Sequence, residues 1–133
     1  MKGDKIFFEY DESGNTAEQA HFVASGTKSF SGVMLAAAIE DKLIKDFDEK
    51  ISETITEWKT DKQKANITLH QLLSLTSGID AGQIGRVPDY SDAINSPVKY
   101  EAGTPFQYGP VPYPIFGALM NSKHAPKQDK VME

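Results

Sequence analysis

Cysteine is absent from this chain of 133 residues, and there is a single tryptophan. Without thiols the protein can form neither a disulfide framework nor a cysteine-ligated zinc or iron–sulfur centre. Basic residues are outnumbered: 14 Lys and Arg stand against 19 Asp and Glu, and the formal net charge is −5. Because the basic residues also form no dense block, nucleic acid and anionic membrane surfaces are disfavoured as partners.

Long apolar runs are missing too. The longest, Val33 to Ile39, has seven residues, which is far too short to span a bilayer. The opening Met1–Lys5 carries basic residues, but no apolar stretch of signal-peptide length follows it. We therefore expect neither a membrane span nor an export signal in this chain, and its length and 39% hydrophobic content predict one domain with a single core.

Motifs for metals and cofactors are likewise not found. His21, His70 and His124 are widely spaced, and none lies four positions from another, as in a helical zinc pair. No phosphate-binding glycine loop and no Gly-x-Ser-x-Gly elbow occurs. We predict no metal site and no cofactor.

The N-terminal part of the chain is predicted to be a strand region (1–24), followed by a mostly helical and loop region (25–133). Lys5–Tyr10 is rich in aromatic residues and predicts a strand closed by turn residues. A helix is predicted from Ser25 onward. Apolar residues recur in it at intervals of three and four, at Phe30, Val33, Met34, Ala37 and Ala38. Since Leu35, Ala36 and Ile39 fill the remaining circumference, the pattern predicts a helix buried on all sides.

Further elements follow from the same kind of pattern. Residues 41–58 predict a polar-rich helix, and 59–65 a solvated charged loop. The inward face of that helix is predicted to be Leu43, Ile44, Phe47, Ile51, Ile55 and Trp58. Thr68 is the predicted N-cap of a short helix, Leu69–Leu75, which Ser77-Gly78 would stop. Residues 79–100 predict a long loop, and Pro114 the start of a last helix through Asn121.

The pattern Ser-x-x-Lys occurs twice, at Ser25–Lys28 and Ser96–Lys99. The pattern is weak by itself, but its context differs between the two places. Ser96 lies in the predicted loop, with Pro97 behind it and no apolar helix following. Ser25 opens the most apolar helix of the chain and is therefore the candidate nucleophile.

The start of a helix suits a nucleophilic serine. Backbone N–H groups without intrahelical partners and the positive end of the helix dipole stabilise an alkoxide or a tetrahedral oxyanion. Lys28 lies on the same face, with its Cβ about 5–6 Å from that of Ser25. Apolar neighbours such as Phe30 and Met34 would favour the neutral amine, which can accept the serine proton. Ser25 could equally cap a core helix while Lys28 points to water.

A family resemblance adds to this interpretation. Ala24–Gly32, Ala-Ser-Gly-Thr-Lys-Ser-Phe-Ser-Gly, resembles the first active-site motif of the class C β-lactamase, DD-peptidase and esterase family, which is of the serine β-lactamase and penicillin-binding-protein type. Ile67–Ile79 is similar to that family's leucine-rich helix ending in Thr-Ser-Gly. Glu101–Leu119 resembles the stretch around its second motif, Tyr-x-Asn. The three segments are collinear and span Ala24 to Leu119.

The resemblance implies an α+β, incomplete β-lactamase-like (serine transpeptidase-like) fold over residues 1–133, with N-terminal strands and the helical region but without the C-terminal strands. It implies a serine hydrolase acting on small ester or amide substrates, β-lactams included. Ser25 would be the nucleophile, Lys28 its proton partner and Tyr108 the general base or proton relay. A phenol needs an adjacent positive charge such as Lys28 to act as a base at neutral pH. Tyr108 could also be an ordinary half-buried aromatic residue.

The chain departs from the family pattern in two ways. Pro110 stands where the motif has asparagine, and it has no amide to bind a substrate amide or to orient Lys28, which favours esters over β-lactams or peptides. The third motif, Lys-Thr-Gly or His-x-Gly, does not follow Tyr108. The resemblance assigns a second oxyanion donor to that strand, and loss of one such donor typically costs about 10²–10³ in turnover.

These departures leave a second hypothesis open: a non-catalytic piece that self-associates, or that needs a complementing chain, through exposed sheet edges. The compartment is also left open. Members of the family are mostly envelope or secreted proteins, whereas we expect no export signal here.

Overall fold

The structure, a computed structural model, describes residues 3–125. Its α-helices within this range are α1 (Phe30–Glu40), α2 (Leu69–Leu73), α3 (Tyr90–Ile94) and α4 (Pro112–His124). Short 3₁₀ helices occupy Ala24–Ser29, Ile51–Glu53 and Thr56–Thr60. Isolated antiparallel bridges join Lys50 to Thr68 and Ile79 to Val98. The described part of the chain is thus helix and loop without a sheet.

The predicted N-terminal strand is not formed within the described residues. Residues 6–10 are irregular, and every side chain from residue 3 to residue 23 is exposed. Aromatic residues favour a strand only where a neighbouring strand accepts their backbone hydrogen bonds and covers one face. No other described residue pairs with 6–10, so the strand preference of this segment is not realised.

The prediction that α1 is buried on all sides is wrong. Leu35 and Ala38 are buried in the core, whereas Phe30, Val33 and Met34 are 61%, 64% and 52% exposed. Apolar side chains occur on every side of α1, so periodicity could not show which side meets the core. Of the residues at that spacing, Phe30, Val33, Met34 and Ala37 are left uncovered by the described residues, whereas Ala38 is buried.

The prediction of a helix over residues 41–58 is also wrong, although most of the residues predicted to face the core are buried. Ile44, Ile51, Ile55 and Trp58 have at most 4% of their surface exposed. Backbone pairing with a distant segment replaces the helix: Ile51 N–H donates to Ile67 C=O at 3.0 Å. Phe47, predicted to point inward, is half exposed.

Helix α2 begins as predicted. The Thr68 hydroxyl accepts a hydrogen bond from Gln71 N–H at 3.2 Å, and the Gln71 side chain accepts one from Thr68 N–H at 3.0 Å. This reciprocal capping box satisfies two N–H groups of the first turn. The helix ends at Leu73, two residues earlier than predicted, and Leu75 then adopts a left-handed conformation with φ of 63°.

The later elements refine the predicted loops. Residues 79–100 contain α3, which is N-capped by the Asp89 carboxylate accepting from Asp92 N–H at 2.7 Å. Helix α4 begins at Pro112, two residues before the predicted start at Pro114. Lys64, predicted to be solvated, is buried: its ammonium donates to the Ile94 carbonyl at 2.8 Å, and burial lowers its pKa.

Residues 75–81 hold the chain that leads to α4. This segment, which we call the carbonyl segment, follows α2 directly and accepts hydrogen bonds of 2.7–3.2 Å through its backbone oxygens. The hydrogen bonds run from Gln107 N–H to Leu75 C=O, from Gly103 to Thr76, from Lys99 and Tyr100 to Gly78, and from Val111 to Ala81. The approach path to α4 is therefore fixed by backbone hydrogen bonds rather than by a sheet.

The surroundings of Gly78 explain why the Thr-Ser-Gly segment ends in glycine. Its φ is 76°, and a Cβ at this position would collide with the Tyr100 carbonyl oxygen. Only glycine allows both the left-handed backbone and the close approach of residue 100.

The core lies beneath these connections. Nineteen apolar residues of the described part of the chain are buried, among them Leu35, Ile51, Leu69, Ile115 and Leu119. One ion pair reaches into it: the Lys123 ammonium lies 2.8 Å from the buried Glu49 carboxylate and ties the end of α4 to residues 45–50. Within residues 3–125, no helix combines the length and the apolar character needed to cross a membrane.

We predict that Gly78→Ala destabilises the fold more than Gly85→Ala does. Gly85 has a φ of 89°, but no atom lies within 4 Å of the place that an added methyl group would occupy, so that its substitution adds only the left-handed strain of about 1–2 kcal/mol. Gly78→Ala adds the collision with residue 100 to a strain of the same size. Urea unfolding of both variants measures the difference, and equal losses would contradict the close packing.

We further predict an acid-sensitive contribution from Asp80. The hydrogen bond from Lys99, whose ammonium lies 2.9 Å away, lowers the pKa of Asp80, and Gly82 N–H contributes in the same direction. A carboxyl group whose pKa is lower in the folded than in the unfolded chain stabilises the folded state at pH values above its unfolded pKa of about 3.9. This stabilisation is lost as the pH falls through the pKa of the folded state. The free energy of unfolding of Asp80→Asn should therefore be lower than that of the wild type at neutral pH, and the two should converge in acid.

Lys99→Met is the matched control for this measurement, because it removes the partner and keeps the carboxylate. It should show the same convergence in acid. A wild-type-like pH profile for both variants would exclude a contribution from the pair.

Candidate active site

Ser25 and Lys28 meet at the start of the helical region. Both belong to the 3₁₀ helix Ala24–Ser29, which runs directly into α1. Residues three apart are eclipsed in a 3₁₀ helix, and the Lys28 ammonium donates to the Ser25 hydroxyl oxygen at 3.2 Å. Ser25 is exposed and Lys28 is half-buried, so the hydroxyl is accessible while the amine is partly screened from water.

Ala24 turns the backbone sharply just before Ser25. Its φ of 49° is left-handed for a residue with a side chain, which costs about 1–2 kcal/mol. Gly26 N–H closes the turn by donating to the Val23 carbonyl at 3.0 Å. The strained turn places Ser25 in the first turn of the helix with its hydroxyl at the surface.

Two aromatic rings lie close to the amine of Lys28. The Lys28 ammonium lies 5.8 Å from the centre of the Tyr108 ring and 5.3 Å from that of Tyr113. Both distances lie within the range at which a ring face attracts a cation. Phe30 and Met34, predicted to screen Lys28, line a further hollow together with it, although both side chains are more than half exposed.

The carbonyl segment positions Tyr108. Gln107 N–H donates to Leu75 C=O at 2.8 Å on one side of it. On the other side Gly109 lies so close to the backbone of Ala81 that a Cβ would collide with the Ala81 carbonyl oxygen. The phenol, 43% exposed, is therefore carried between two fixed points of the backbone.

The predicted site residues share one cleft. Ser25, Lys28 and Tyr108 line a hollow of about 330 Å³ together with Ser29, Ser31, Gly32, Leu73 and Tyr113. A neighbouring hollow of about 360 Å³ also contains the three residues, and Pro110 lies in its wall. The structure thus brings the serine, the lysine and the tyrosine together, and their catalytic roles remain predictions.

Tyr113 is the cleft residue that the sequence did not single out. It lies in the first turn of α4, and its N–H donates to the Pro110 carbonyl at 3.3 Å. Burial, and to a smaller degree the neighbouring Tyr108, raises the pKa of Tyr113, so its hydroxyl stays neutral at physiological pH. The one signal in the sequence that could have suggested Tyr113 is its position soon after Tyr108. Its residue type does not indicate that it approaches Lys28.

The second Ser-x-x-Lys does not form a serine–lysine pair. The Ser96 hydroxyl donates to the Asp92 carbonyl at 3.2 Å, and the Lys99 ammonium pairs with Asp80. Within residues 3–125 no cluster of three or more side chains suited to a metal ion occurs.

Comparison with known proteins identifies the family. The family model described as Beta-lactamase matches residues 2–123, nearly the whole chain, and the chain belongs to that family. Its members are serine β-lactamase-like proteins, which is the family that the motifs predicted. None of the curated proteins matches the chain.

A solved structure shows the same fold. The "putative beta-lactamase from Bacteroides dorei DSM 17855" superimposes with a TM-score of 0.75 at 23% sequence identity. The match covers 91% of this chain and 38% of that one. The β-lactamase-like fold predicted from the motifs is thereby confirmed, and the chain spans well under half the length of this neighbour.

Proposed function

We propose that the chain carries the acylation site of a serine hydrolase, with Ser25 as nucleophile, Lys28 as its proton partner and Tyr108 as general base or relay. The hydrogen bond of 3.2 Å between the Lys28 ammonium and the Ser25 hydroxyl carries this proposal. A nucleophile and a base within hydrogen-bonding reach, with a third group nearby, form the arrangement that activates a serine.

The chemistry follows from these three groups. The Ser25 hydroxyl loses its proton to a neutral Lys28 amine or a Tyr108 phenolate, and its oxygen attacks the substrate carbonyl carbon. The carbonyl electron pair moves to the oxygen, which the Ser25 N–H in the first helical turn can stabilise. Collapse of the tetrahedral intermediate expels the alcohol or amine, which takes up the proton, and water then hydrolyses the acyl-enzyme.

The aromatic neighbours of Lys28 suggest how the two roles are divided. Ring faces attract a cation, and the ring centres of Tyr108 and Tyr113 both lie within 6 Å of the Lys28 nitrogen. We propose that Lys28 contributes its charge and that Tyr108 moves the proton.

Small esters are the substrates we propose. Pro110 lines the cleft where the family motif has asparagine, and it offers no donor or acceptor to a substrate amide. An ester needs no such contact, and its alkoxide leaving group departs more readily than an amide nitrogen.

A covalent probe tests the nucleophile. We expect a fluorophosphonate to add one label to the wild type and to Ser96→Ala, and none to Ser25→Ala, as measured by intact mass. Ser96→Ala is the matched control because it removes the other Ser-x-x-Lys serine, which lies outside the cleft. Absence of a label on the wild type, or a label retained in Ser25→Ala, would exclude this function for the chain.

A second candidate function is suggested by the uncovered side of α1. Phe30, Val33 and Met34 present a contiguous apolar surface at helical spacing, and surfaces of this kind mark interaction sites. The occupant we propose is a polypeptide that supplies the C-terminal strands of the family fold. The chain would then be a non-catalytic part that requires this second piece, or associates with itself in its place.

Charge placed on this surface tests the second candidate. We expect the wild type to self-associate in sedimentation velocity and to bind an apolar dye, and Val33→Lys to reduce both. Phe106→Lys is the control, because Phe106 is as exposed as Val33 (63% against 64%) but lies in an irregular segment outside α1. A monomeric, cooperatively unfolding wild type with full turnover would exclude the requirement for a second piece.

A further inference from the structure

We propose that Tyr113 is a positioning residue of the hydrolase site: its ring face holds the Lys28 ammonium against the Ser25 hydroxyl. The inference deepens the proposed function and rests on it for its catalytic consequence. The contact itself is a property of the fold and can be measured without any turnover.

The geometry gives Tyr113 the nearer ring. The Lys28 ammonium lies 5.3 Å from the Tyr113 ring centre and 5.8 Å from that of Tyr108. A lysine side chain loses much rotational freedom when it is fixed in one place. The single hydrogen bond to the exposed Ser25 hydroxyl is a weak restraint, so the rings supply the further attraction that keeps the amine there.

Of the two rings, Tyr113 is the better fixed. It belongs to α4, where Pro112 and Pro114 restrict the backbone on either side of it, and its side chain is half-buried. Tyr108 lies in an irregular segment and is more exposed. The half-buried ring on α4 therefore suits the placement of a charge.

Pro110 gives the contact its importance. The side chain at this position cannot donate to or accept from Lys28, so an amide is not available there to orient the amine. The Tyr113 hydroxyl is not required for this role. Its pKa is raised by burial, the phenol stays neutral, and the π face alone makes the contact.

The first measurement is spectroscopic and uses the full chain. In the wild type, the ε-methylene protons of Lys28, assigned with Lys28→Arg, should resonate upfield of the other lysines because of the nearby ring. Tyr113→Phe should keep this shift, and Tyr113→Met should lose most of it. A Lys28 signal at the position of solvent-exposed lysines, or one unchanged in Tyr113→Met, would overturn the proposal.

The second measurement is the rate of fluorophosphonate labelling at Ser25. We expect Tyr113→Phe to label within about twofold of the wild type and Tyr113→Met about tenfold more slowly, in line with loss of one well-placed cation–π contact. Tyr10→Leu, in the exposed N-terminal segment, is the control for loss of a tyrosine as such and should label normally. Equal rates in Tyr113→Met and the wild type would overturn the positioning role.

Two safeguards keep the outcomes distinct. If Tyr113→Met unfolds, pentafluorophenylalanine at position 113 keeps the shape of the ring and removes its electron-rich face, so slower labelling still supports the proposal and unchanged labelling still overturns it. If the wild type shows the shifted Lys28 signal but no Ser25 label, the hydrolase function fails while the contact between Lys28 and Tyr113 stands.

Discussion

The hydrogen bonds accepted by the carbonyl segment are the constraint on which the site depends. Tyr108 is separated from Lys28 by most of the chain, and the described residues contain no sheet to bring the two together. The backbone oxygens of residues 75–81 do so instead, by fixing the path of residues 99–111. Gly78 and Gly109 allow this path because neither position tolerates a side chain.

Some of this arrangement could be predicted from local chemistry. The capping box at Thr68, the proline start of α4 and the pairing of Ser25 with Lys28 each depend on residues at most four positions apart. The buried side of α1 and the non-helical path of residues 41–58 could not be predicted, because they depend on backbone pairing with Ile67 and on which surface is covered. Tyr113 was missed for a similar reason: its contact with Lys28 is created by tertiary packing and leaves no pattern in the sequence.

The proposed site combines a serine–lysine pair with unusual surroundings. The Ser-x-x-Lys pair and the tyrosine match the family pattern, whereas Pro110 replaces an amide with a ring that cannot hydrogen-bond through its side chain. Aromatic faces then become the main neighbours of the lysine charge. Ring faces attract a cation, so the two tyrosines help to hold the Lys28 ammonium in place.

The 3₁₀ helix that bears Ser25 contains no buried residue, and this has a thermodynamic consequence. Opening a segment requires only the free energy of the contacts it makes, which here exclude the core. Ser25 can therefore detach from its partners while α2 and α4 remain packed. A molecule bound in the hollow beside Ser25 would oppose this local opening, so it would order this turn far more than it would raise the melting temperature of the whole chain.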